Sequence, residues 1–342
     1  MKILNRIISK NTPPLVIAEL GINHGGCLQT AKGMVLAAAQ AGCECIKHQT
    51  HFVEDEMTEE AKSVYPPNAE ISIWDVIKKC ALTAKEEIEL KSYTESLGMI
   101  YLSTPFSRAA ADFLNEIGVP AFKIGSGEVD NLPLLKHIVK FGKPIIMSTG
   151  MHSITSLEKS VEILEMNNID YALLECTSAY PAAPNTIRLS AINQLKEHFP
   201  RAMVGFSDHS VGPTMSIAAT ALGARIIERH FTDSRYRPGP DVVCSMDPAE
   251  LRFLVDRTLE VHQALQAEKV KFEIEESVYK FARSSVVADR DIKKGTKITN
   301  DDIWARRPGN GNIAGYEYEK LIGKTALFDI AKNTQLKWDY FS

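Results

Sequence analysis

No run of about 20 apolar residues occurs in this 342-residue chain, so nothing in it reads as a membrane-spanning helix. The first residues, MKILNRIISKNTPP, lack the apolar centre of a secretory signal. No pair of cysteines forms a CxxC. The six cysteines (27, 43, 45, 80, 176 and 244) are scattered, which argues against a zinc ribbon and against a disulfide framework. Cys43 and Cys45 read as buried, reduced fillers. Basic charge is not in excess: 39 Lys and Arg against 43 Asp and Glu leave a net charge of −4. Neither nucleic acid nor an anionic membrane is therefore expected as a main partner, and any anion site must be local. No GxGxxG follows the first apolar run, which weakens a dinucleotide-binding reading. The expected location is a reducing cytoplasm.

What the chain does contain is ordinary for a globular protein: 44% hydrophobic and 24% charged residues. Its length suits two domains, or one large barrel with an appendage. Short β-branched runs recur at 15–20, 44–49, 99–104, 121–126, 144–149, 171–176, 202–207 and 225–230. Helix-like stretches lie between them, several opening after Ser, Thr or Asp and closing at Gly. The longer gap between 44 and 99 implies an insertion. Strands alternating with helices imply parallel pairing through right-handed crossovers. Eight such units in about 250 residues predict an α/β (β/α)8 TIM barrel, whose polar strand ends meet at one catalytic face. We place the barrel at residues 1–268. The charged stretch 269–282 reads as a linker. Residues 283–342, with turn signals at KKG and PGNG, read as a small β-rich module. Such a module is expected to have little core of its own and to dock on something.

Side chains two apart along a strand share a face, which pairs Lys47 with Gln49, Ser207 with His209, and Glu228 with His230. Lys123 interrupts the apolar strand AFKIG and needs an anion, either a ligand or a buried partner such as Glu19 or Glu128. His209 and His230 end consecutive strands 21 residues apart, and two neutral imidazoles there suit a divalent cation. Thr104, Ser126, Ser148, Ser178 and Ser207 all fall at strand ends. With the amides of GSGE (125–128) and two lysines they describe a phosphate or carboxylate cradle. Taken singly, each hydroxyl would be read as a helix cap.

The segments IAELGINHGG (17–26), IKHQTHFVEDEM (46–57), LSTPFS (102–107), FKIGSGE (122–128), STGM (148–151), GFSDHS (205–210), ERHFTD (228–233) and RPGPDVVCSMD (237–247) resemble the N-acetylneuraminate (sialic acid) synthase family, in its bacterial form. The C-terminal module resembles that family's antifreeze-like (SAF) domain. IKHQTHFVEDEM and RPGPDVVCSMD look closer to the N-acetylneuraminate synthases than to those for legionaminate or pseudaminate. In strand six, LLECTSAYP has Glu175 and Ser178 where many bacterial relatives have His and Asn, while CTSAYP resembles the animal enzymes.

The resemblance implies condensation of phosphoenolpyruvate with open-chain N-acetylmannosamine and water, with phosphate leaving by C–O cleavage. It places phosphoenolpyruvate on Lys47, Thr104, Lys123, Ser126, Ser148, Ser178 and Ser207. Gln49, Tyr180, Asp241 and Arg307 would bind the sugar, together with Glu19. Glu19 and Glu228 are the candidates for moving protons or water. His209 and His230 would hold Mn2+, with Mg2+ or Co2+ as alternatives. Arg307 would come from a partner subunit, which implies a domain-swapped homodimer. The alternatives are a legionaminate or other nonulosonate synthase, a Schiff-base pyruvate aldolase using Lys123 or Lys47, and an ice- or sugar-binding role for the module. By strand parity Glu175 lies opposite Cys176 and Ser178, so it is not assigned to the site.

Overall fold

The computed structural model describes residues 1–66 and 70–342, which divide into two compact units, Met1–Gln266 and Ala267–Ser342. In the first unit, eight parallel strands close into a barrel. They are β1 (Leu15–Glu19), β2 (Cys45–Thr50), β3 (Ile100–Pro105), β4 (Phe122–Ile124), β5 (Ile145–Ser148), β6 (Tyr171–Cys176), β7 (Met203–Asp208) and β8 (Ile226–His230). Strand β8 pairs back onto β1, with His230 opposite Glu19, and the β1–β2 register sets Glu19 opposite Lys47.

Alternation along each strand splits the core in two. Leu15, Ile17, Cys45, Leu102, Ile146, Leu174 and Ile226 form one buried cluster, which also takes in Ile3 and Ile8 beside the N-terminal hairpin of Lys2–Ile3 with Arg6–Ile7. Val16, Ala18, Ile46, Tyr101 and Phe122, one position out of phase, pack in the larger cluster with apolar helix residues such as Met34, Leu90 and Leu114. Helices start where the sequence offers caps. Thr83 and Glu86 form a capping box on Ala84–Ser96, and Asp247 and Glu250 form one on Pro248–Ala264. Helix Ala191–His198, between β6 and β7, is short, and its start has no side-chain cap. The insertion between β2 and Ala84 holds helices Val53–Glu56 and Ile73–Cys80, which pack a small cluster around Trp74.

The second unit contains an antiparallel pair, β9 (Ser285–Ala288) and β10 (Ile303–Arg306). The expectation of little core is corrected here. Val286, Ile292, Ile298, Ile303, Ile313, Leu321, Ile330, Leu336 and Phe341 are buried together. Isolated bridges such as Ile292 with Ile330 and Lys297 with Thr325 tie distant turns together, so a core forms without long strands. The stretch read as linker carries a helix, Glu276–Ala282.

Candidate active site

The barrel's C-terminal rim encloses a cavity of about 370 Å3. Glu19 of β1, Lys47 and Gln49 of β2, Thr104 of β3, Lys123 of β4, Ser148 of β5, Ser207 of β7, and Glu228 and His230 of β8 all line it. Ser126, Ser178, Tyr180 and His209 reach the same cavity from the loops that follow strands. Strand parity explains the convergence: every second residue near a strand end faces the barrel axis.

Two lysines and two glutamates form a buried network there. The Nζ of Lys47 lies 2.9 Å from Glu19 Oε1 and 3.9 Å from Glu228 Oε1, and donates to Thr104 Oγ1 at 3.1 Å. The Nζ of Lys123 donates to Ser148 Oγ at 2.7 Å and lies 3.5 Å from Glu228 Oε1. Burial disfavours charge on Lys47, but the attraction of Glu19 and Glu228 outweighs it and raises its pKa. For Lys123 burial wins over Glu228, and its pKa falls. Burial also opposes charge on Glu228, yet Lys123 and Lys47 together hold its carboxyl below the usual range. Glu128, an alternative partner for a lysine, is turned instead to Asn131 at 2.7 Å. Among the described residues, Oε2 of Glu19 and Oε2 of Glu228 are buried without a partner. Buried polar atoms rarely go unpaired, so these two oxygens mark where a ligand belongs.

The hydroxyl side of the cavity needs a glycine. A Cβ on Gly150 would meet Ser178 Oγ at 2.3 Å and Ser126 Oγ at 2.9 Å, and the Gly150 amide donates to Ser126 Oγ at 2.9 Å. Gly125 and Gly127 line the same wall.

The imidazole rings of His209 and His230 are 5.4 Å apart, centroid to centroid, and Tyr180 packs 4.2 Å from His209. Nδ1 of His209 lies 2.8 Å from the Thr177 carbonyl, and donating there leaves Nε2 as the acceptor nitrogen. Burial opposes charge on His209, but contacts with the Cys176 thiol and the Thr177 carbonyl raise its pKa overall. Burial lowers that of His230 despite Asp241 and Glu19. Nδ1 of His230 is buried without a hydrogen bond among the described residues, and Asp241 Oδ2 is 3.7 Å away. Among the described residues, no group of three or more His, Cys, Asp and Glu converges on one point. The described residues therefore offer two ring nitrogens rather than a complete ligand shell.

Asp241 stands behind His230 rather than on the cavity wall, and Arg307 belongs to the second unit, just after β10. Glu175 faces away from the cavity and accepts from Arg188 Nε at 3.0 Å. Sequence reasoning left out Phe106, Met151 and Cys176, which also line the wall. Parity carried a signal for two of them, since Phe106 is two residues past Thr104 and Cys176 two before Ser178.

A barrel with acid, base, hydroxyl and imidazole groups at one rim defines an enzyme, and comparison with known proteins gives its kind. The NeuB family model matches residues 34–270 and the SAF domain model residues 283–341. The chain belongs to the NeuB family and carries a C-terminal SAF domain. It is 37% identical to the N,N'-diacetyllegionaminic acid synthase of Campylobacter jejuni, over 91% of this chain and 95% of that one. It is 32% identical to human N-acetylneuraminate-9-phosphate synthase, over 96% and 92%. A crystal structure of N-acetylneuraminic acid (sialic acid) synthetase from Leptospira borgpetersenii superposes with a TM-score of 0.75 at 32% identity, covering 81% of this chain and 94% of that one. The protein is thus an enzyme of the nonulosonate synthase type. No described helix is long and apolar enough to cross a membrane.

Proposed function

We propose that this enzyme condenses phosphoenolpyruvate with N-acetylmannosamine and water, giving N-acetylneuraminate and phosphate. The observation that carries the reading is the single cavity shared by two lysines, five serine and threonine hydroxyls, two carboxylates and two imidazoles. Lys47 and Lys123 offer positive charge to a ligand with a carboxylate and a phosphate, while Thr104, Ser126, Ser148, Ser178 and Ser207 hydrogen-bond its oxygens. Gln49 and Tyr180, on the cavity wall, would bind the sugar, with Asp241 acting from behind His230 and Arg307 joining them from a partner subunit. C3 of the enol attacks the aldehyde carbon, whose oxygen becomes a hydroxyl on taking a proton. Water then adds at C2, and the tetrahedral carbon expels phosphate with its C–O bond. The unpartnered oxygens of Glu19 and Glu228 are placed to move those protons and to orient the water. His209 and His230 would hold a divalent ion, taken as Mn2+ from the family resemblance; one ring has its Nδ1 tied to a carbonyl and the other has an orphaned buried nitrogen. Such an ion would supply Lewis acidity to activate the sugar's carbonyl.

Identity to the legionaminic acid synthase exceeds that to the human enzyme, which favours a diacetamido sugar as the second reading. The Schiff-base aldolase keeps one supporting observation, the lowered pKa of Lys123. One assay separates the three: phosphate release from phosphoenolpyruvate with N-acetylmannosamine and with diacetamido hexoses, with and without chelator. We expect release only with an acceptor sugar, its loss in chelator, and its absence from His209→Ala and His230→Ala. Full turnover of metal-stripped protein in excess chelator would remove the ion from the account. Borohydride trapping of a pyruvate adduct on a lysine would replace the reading by the aldolase.

A further inference from the structure

Gln49 has an amide with two different ends, and both are engaged. Its Nε2 donates to Glu19 Oε1 at 2.7 Å, and its Oε1 lies 3.2 Å from Nε2 of His51. The chemistry fixes which end is which, because the carboxylate oxygen paired with Lys47 accepts and must face the amide nitrogen. The amide oxygen is then left to accept from His51. That ring is held on three sides: Nδ1 is 2.8 Å from Glu56 Oε2, and one face stacks on Phe106 with centroids 4.5 Å apart. His51 is buried, and Glu56 ends the short helix Val53–Glu56 within the insertion after β2. Because Lys47 and Gln49 both occupy Oε1 of Glu19, the carboxylate is locked with Oε2 as its free oxygen.

We propose that His51 and Glu56 are positioning residues for the sugar side of the reaction. They orient the Gln49 amide and, through it, the rotation of the Glu19 carboxylate. The inference rests on the function proposed above and adds a role for the insertion: it supplies the brace behind the sugar-facing residues.

The test uses the full-length enzyme. His51→Phe keeps a flat ring against Phe106 and removes both nitrogens. We expect kcat/KM for the sugar to fall about 10- to 100-fold, with the KM for phosphoenolpyruvate held within about two-fold. Glu56→Gln keeps an oxygen for Nδ1 and should stay within about three-fold of the parent, whereas Glu56→Ala should reproduce the larger loss. A crystal structure of His51→Phe should show Gln49 released and the Glu19 carboxylate turned. Equal losses for both substrates, or equal losses in Glu56→Gln and Glu56→Ala, would reduce the pair to a structural role. If His51→Phe does not fold, Glu56→Ala carries the same kinetic and crystallographic readouts. If the parent enzyme itself releases no phosphate with any hexosamine, the proposed reaction fails. The crystal structure still decides the brace, since an unmoved Glu19 and Gln49 would overturn it.

Discussion

Glu87 sits on helix Ala84–Ser96, buried behind β2, and accepts a hydrogen bond from the Thr50 hydroxyl at 2.7 Å. Burial pushes its carboxyl up to about 8. The groups facing it do not offset this. His48, with Nδ1 3.8 Å from Glu87 Oε2, is pushed well below its ordinary range by burial, and its neighbour His24 is lowered by burial to about 4. Burial likewise raises the Tyr101 phenol. A carboxyl whose folded pKa lies above its unfolded value binds a proton on folding. Stability is therefore full below about pH 4.5 and is lost as pH rises towards 8, at about 1.4 kcal/mol per unit. Glu87→Gln should match the parent's Tm near pH 5 and gain on it steadily to pH 8, by a few kcal/mol in all. A constant difference in Tm across that range would show that Glu87 is ionised in the folded protein throughout. None of this was legible in the sequence, where Glu87 is one of several acids in a helix. The cavity residues were legible, because strand parity and unusual polar residues at apolar strand ends point to them. His51 and Glu56 were not singled out, since their effect runs through Gln49 and depends on how the insertion folds back.

Strands were the most legible elements, because runs buried on both faces show as near-continuous apolar stretches. Helix Ala191–His198 and the SAF core were less so, as short elements draw their stability from tertiary contacts rather than from pattern. Neighbouring strands also brace each other by a device the sequence conceals. Arg229 of β8 points away from the cavity and pairs with Asp208 of β7 at 3.1 Å. Its other contacts are the carbonyls of Gly212 and of Ser210, the latter at 2.6 Å. Asp208 in turn accepts from the Ser210 amide at 2.8 Å and the Ser216 hydroxyl at 2.6 Å. The loop carrying His209 is thereby tied to the strand carrying His230. Both charges are buried, so removing one strands the other. Arg229→Met should cost about 3–5 kcal/mol, lowering Tm by on the order of 10 °C. Combining it with Asp208→Leu should cost clearly less than the sum of the two single changes. Additive losses in that double-mutant cycle would mean that the pair contributes nothing as a pair.

At the scale of the molecule, Arg307 tests how the two units work together. It lies far along the chain from every cavity residue, in a unit with its own hydrophobic core. In our proposal its guanidinium, whose fixed donors suit the amide carbonyl of an N-acetylated sugar, is delivered to the barrel of a partner subunit. Arg307→Ala should then raise the KM for the sugar about ten-fold or more and leave phosphoenolpyruvate binding nearly intact. Mixing it with Lys123→Ala distinguishes delivery in trans from delivery within one chain. In a heterodimer with crossed modules, one site combines the barrel with intact Lys123 and the module with intact Arg307, while the other site carries both lesions. Random exchange makes half the dimers mixed, with one good site in two, so about a quarter of the parent activity should return. Without crossing, every site keeps one lesion and mixing restores nothing. An unchanged KM for the sugar in Arg307→Ala would leave Arg307 as a surface residue. No rescue despite subunit exchange verified by mass would return the arginine to its own chain.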